Sequence, residues 1–95
     1  MNTERLLDFG ERGIHLLFDT STIAEAFCQD AKHLRQVVDK HLDEIQVAVQ
    51  HVLELGSAVA GREFIASLER ELQHVLVLLY FELLDDRLRR RETRH

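Results

Sequence analysis

Ninety-five residues and 11.1 kDa suffice for one small domain and no more. The chain is 45% hydrophobic and 31% charged, which excludes a disordered polymer; without proline and with four glycines it also lacks the turn chemistry of all-β and α/β folds. A net charge of −5 excludes a generic polyanion binder.

In chain order, Thr3 can cap a first helix over 3–18, with Leu6, Leu7, Phe9, Ile14, Leu16, Leu17 and Phe18 as its apolar residues. Gly10 and Gly13 on this segment either admit a neighbouring helix or break it. Thr22 and Glu25 have capping-box spacing, which predicts a second helix starting at Thr22. From there to Leu55 the residues Phe27, Ala31, Leu34, Val38, His41, Ile45, Ala48, Val52 and Leu55 step by four and three, the seam of a bundle helix. An unbroken helix over 22–55 would be about 50 Å long. Gly56-Ser57 and Gly61 mark the turn, and a third helix follows over 60–91, with Ile65, Leu68, Leu72, Val75 and Leu79 on its stripe. The whole reads as a single all-α domain over 1–95.

Two long helices and a short link predict an antiparallel hairpin. With the turn near residue 58, facing residues sum to about 116 by straight-helix geometry. Val75 to Leu84 is apolar nearly all round apart from Glu82. The first helix covers part of this at the open end of the hairpin, but the turn end has no third helix. Two helices bury too little surface to be stable alone, so a second copy is expected to complete a four-helix bundle as a homodimer or higher even oligomer.

Six histidines are present, and the turn arithmetic brings His41, Glu44, Glu71 and His74 to one level. This set resembles the di-iron sites of ferritin-like proteins, where a Glu on one helix meets a Glu-x-x-His on another and symmetry repeats the set. The resemblance implies a metal at a dimer interface, with iron, manganese or zinc suited to these ligands. The stretch from His51 through Gly56 and Gly61 to Leu72 resembles the active-site region of histidine phosphotransfer domains. Glu54 and Leu55 stand where that family has Lys and Gly, and they would repel and crowd a phosphoryl group. Arg35 and His41 fit the loose Arg-x4–6-His spacing of HEPN-type helical ribonucleases, but lie about 120° apart on a regular helix. Cys28 beside the seam is expected to be a small buried apolar residue, and Tyr80 to be core.

At the far end, Arg87, Arg89, Arg90, Arg91 and Arg94 against Glu92 give 87–95 a local charge of +4, which leaves −9 on residues 1–86 of the −5 chain. This basic end favours a protein partner, since the acidic body would repel nucleic acid and no interleaved aromatics support base stacking. The lone cysteine, the absence of a basic leader or a span-length apolar run, and ten Arg against two Lys predict a cytoplasmic, bacterial protein. With no phosphate loop or nucleophile–base set, the expectation is a non-enzymatic interaction or assembly module; the ferritin-like bundle is the alternative and phosphotransfer a remote one.

Overall fold

A computed structural model describes residues 3–92, with side chains through residue 90. The described residues form six helices: α1 Thr3–Glu11, α2 Thr20–Phe27, α3 Ala31–Lys40, α4 Leu42–Glu54, α5 Ala58–Ala66 and α6 Arg70–Glu92. The fold class is all-α, but the first of the three expected rods is shortened and the other two are divided, for a local reason in every case.

The first rod stops at Gly13. With φ at 84°, Gly13 takes the left-handed conformation, its amide donates to the Gly10 carbonyl at 3.0 Å, and the Ile14 amide reaches the Phe9 carbonyl at 2.9 Å. This is a Schellman closure, which needs a residue without Cβ at that point. Helix α2 then begins at Thr20, two residues before the expected capping box. Thr22 lies inside the helix, and Glu25 reaches across to α6 instead of back to its own N-terminus.

The expected helix over 22–55 breaks twice. At Asp30 the carboxylate accepts from the Lys32 amide at 3.1 Å, capping α3 and ending the α2 ladder at Cys28. Cys28 is therefore exposed at a helix end, not buried beside a seam. At His41 the chain bends without releasing the helix. Its amide still donates to Val37, and its carbonyl still accepts from Ile45, both at 2.9 Å, while φ and ψ depart to −120° and 28°. Lys40 at the end of α3 and Asp43 and Glu44 at the start of α4 each suit the dipole of their own short helix. The third rod breaks at 67–69. Ser57 caps α5 by accepting from the Ala60 amide at 3.2 Å, and Gln73 Nε2 donates to the Ala66 and Leu68 carbonyls left open by the break.

These breaks wrap the chain around α6, which packs against α1, α2, α3 and α4. Leu72, Val75, Leu76, Val77, Tyr80 and Leu84 are buried on it, with Leu34, Val37, Ile45, Val52 and Ile65 inserted from the other helices. A helix that is apolar on all sides must be surrounded, and here short helices of the same chain surround much of it. Part of the apolar surface that pointed to a second copy is thus covered internally. What remains uncovered lies chiefly on α4 and at the end of α6. No helix among the described residues is long and apolar enough to cross a membrane.

Bending at His41 also resets the register. Within α4 the levels follow from the turn at Gly56-Ser57: the His51 and Phe64 rings pack at a tilt of 59° with centroids 4.4 Å apart, and Glu44 and Ala48 border the same trough as Leu68 and Leu72. Beyond the bend they do not. His33, which straight rods would set beside about residue 83, lies against Glu71.

Candidate functional site

The histidine and carboxylate candidates fall into separate pairs. His41 Nδ1 lies 3.1 Å from Glu44 Oε1, one turn along, at the bend between α3 and α4. Glu71 lies 3.3 Å from His33 Nε2 on α3, an exposed contact. His74, only 5% exposed, points from α6 toward α2, where its Nε2 is 3.4 Å from Glu25 Oε2. Glu71 and His74 are neighbours along α6, yet they serve different helices. Among the described residues no group of three or more His, Cys, Asp or Glu is gathered as a metal ion would require. The four expected ligands are therefore not assembled within one chain.

Two polar clusters brace the fold around α6. Glu25 binds the Arg70 guanidinium as well as His74. Arg70 first, and the His74 hydrogen bond second, hold the Glu25 carboxyl below its ordinary value. On the other side, the Tyr80 hydroxyl is 2.8 Å from His15 Nδ1, and Phe18 and Phe81 pack on its ring. Burial pushes the Tyr80 phenol up to about 12. His51 is exposed, with the Phe64 ring packed beside it at a tilt.

The arginines of the C-terminal end divide by role. Arg87 fastens α1 to α6: it pairs with Asp8 and Glu11 and donates to the Glu4 carbonyl at 3.0 Å. Arg89 and Arg90 are 73% and 79% exposed and pair one turn back with Asp85 and Asp86. Arg94 and the side chain of Arg91 lie outside the described residues.

The largest unexplained feature is α4. Ile45, Ala48 and Val52 face the core at the expected spacing of three and four. The helix should then be polar elsewhere, yet Leu42, Val47, Val49 and Leu53 are all exposed, Val47 to 67%. On one flank, Val49 and Leu53 join Leu6 and Leu7 of α1 and Leu79 and Leu83 of α6 around an apolar groove of about 120 Å³. On the other flank, Asp43, Glu44, Val47 and Ala48 form a trough of about 350 Å³ with Phe64, Leu68 and Leu72. Val47 is about 200° round the helix from Ile45, outside the buried stripe, so periodicity alone gave it no role. A composition signal was available: no Lys or Arg occurs between Lys40 and Arg62, while Asp43, Glu44 and Glu54 all fall there. The α4 ridge is both apolar and acidic.

No protein-family model, no curated protein and no solved structure matches this chain.

Proposed function

We propose that the chain is a cytoplasmic, non-enzymatic protein–protein interaction module with α4 as its contact helix. The observation that carries this reading is the pair of apolar depressions on the two flanks of α4, both bordered by exposed aliphatic side chains. A helix needs one apolar stripe to join its own core, and further stripes are suited to receiving other helices. Exposed apolar surface continuous across three helices commonly marks a contact site. The free, exposed Cys28 accords with a reducing compartment.

The test compares the tagged full chain with its Val47→Glu and Leu53→Glu variants, expressed in the native host. Both positions are exposed, so helix content and melting should persist. Proteins retained by the wild type, whether other copies of the chain or different proteins, are expected to be lost from one or both variants. An unchanged set of retained proteins would overturn the assignment.

A further inference from the structure

We propose that the apolar trough beside Val47, with Asp43 and Glu44 at its border, is the seat for the basic end of α6 from a second copy of this chain, a reading that rests on the interaction-module assignment. The trough offers an almost wholly apolar surface from Val47, Ala48, Phe64, Leu68 and Leu72, with the acidic residues Asp43 and Glu44 at its border, Glu44 paired with His41, and no Lys or Arg among the described residues lining it. Such a surface fits a short helical segment that presents leucine and arginine together.

This chain carries such a segment. Past Arg87, which holds α1, α6 continues with Leu88 exposed and with the Arg89 and Arg90 guanidinium groups largely in solvent. Half of the ten arginines fall within residues 87–95, on a chain whose other 86 residues sum to −9 against the total of −5. The pairs from Arg89 to Asp85, from Arg90 to Asp86 and from His41 to Glu44 are each exposed contacts one turn apart, and contacts of that kind are individually weak enough to be exchanged for pairs with Asp43 and Glu44 of another copy.

Helix geometry requires the contact to be intermolecular. Leu72 lines the trough and Leu88 lies sixteen residues farther along the same unbroken helix, a rise of about 24 Å, so the end of α6 cannot fold back into its own trough. Each copy carries one trough and one basic end, and reciprocal exchange about a two-fold axis closes the pair. This arrangement also accounts for the charge pattern: an acidic body repels other acidic bodies, and the basic end turns that repulsion into a directed contact.

The test is light scattering on the untagged full chain at about 100 µM, in about 0.05 M and 0.5 M NaCl, with helicity checked by circular dichroism. Twice 11.1 kDa is expected at low salt, with dissociation toward the single-chain mass at high salt. The Arg89→Glu/Arg90→Glu pair and, separately, Val47→Arg should each raise the dimer dissociation constant about tenfold or more. Combining Asp43→Arg/Glu44→Arg with Arg89→Glu/Arg90→Glu exchanges the charges and should restore the dimer to within a few-fold. A dimer indifferent to the arginine changes, or a wild type that stays monomeric, overturns the proposal. A monomer that instead binds a synthetic Leu/Arg helical peptide, and loses it on Val47→Arg, assigns the trough to another protein and leaves the interaction-module reading standing. If neither self-association nor peptide binding responds to Val47→Arg, nor to Leu53→Glu on the opposite flank, both readings fall.

Discussion

Gly10 of α1 lies against Tyr80 of α6 so closely that one added carbon would collide with the phenol oxygen, and would come within 2.8 Å of Leu84 Cδ2. The two helices touch there because Gly10 has no side chain. The same contact holds the Tyr80 hydroxyl beneath α1, where His15 supplies its hydrogen-bond partner.

Gly10→Ala should therefore destabilise the protein despite the better helix propensity of alanine. Overpacking of this kind costs about 1–3 kcal/mol, and the propensity gain offsets about 1 kcal/mol of it. A net loss of up to about 2 kcal/mol is expected in urea denaturation. Because the phenol oxygen is one of the colliding atoms, Gly10→Ala should cost less in a Tyr80→Phe background. A double-mutant cycle measures that coupling, and strict additivity would contradict the geometry.

Tyr80 is the single tyrosine of the chain, so its ionisation can be followed directly by ultraviolet absorbance. Its folded value of about 12 lies above the ordinary 10.0, so the folded state holds the proton more tightly than the unfolded state. The contribution of Tyr80 is complete below pH 10 and is lost as the pH rises toward the folded value. Thermal stability should fall across that interval in the wild type and fall less in Tyr80→Phe. A tyrosine absorbance midpoint at the ordinary value, in protein that stays folded, would contradict the burial of this hydroxyl.

Glu25 acts at the opposite end of the pH scale. Its folded value lies below the ordinary 4.5, chiefly through Arg70 and then His74, so the folded state favours the ionised carboxylate. That stabilisation is complete above pH 4.5 and is lost as the pH falls through the lowered value. Glu25→Gln should be less stable than wild type near neutrality, and the difference should narrow as the solution is acidified. Melting curves of the two proteins over an acid series test this, and a constant difference would show that the carboxylate charge has no part in joining α2 to α6.

Arg87→Ala should loosen α1 selectively. The substitution removes the pairs with Asp8 and Glu11 and the hydrogen bond to the Glu4 carbonyl, and Glu11 is nearly buried at this junction. A cost of about 1–2 kcal/mol is expected, since a charged group is left with a lost partner. Hydrogen exchange locates the effect: amides of residues 3–11 should exchange faster, while those around Val75 to Tyr80 hold their protection. Uniform acceleration would mean that α1 does not open separately from the core.

The all-α class, the core stripe of Ile45, Ala48 and Val52, and the need to surround Val75–Leu84 were determined by the sequence alone, because helical periodicity and burial are local properties of residue spacing. The levels at which α4 meets residues 64–72 follow from one turn and a constant rise per residue. Where the rods stop was partly written as well. Gly13, the Asp30 cap, and Lys40 followed by Asp43 and Glu44 are ordinary end signals, but the last two sit within an apolar stripe that by itself predicts an unbroken helix over 22–55. Only the tertiary structure decided which reading won. A helix that is apolar on every side gains more burial from several short helices bent around it than from one straight neighbour. Those bends, in turn, sent His33 to Glu71 and His74 to Glu25, and left Val47 in the open. A side chain's neighbours across the fold depend on every bend between them, and spacing along the chain does not carry that information.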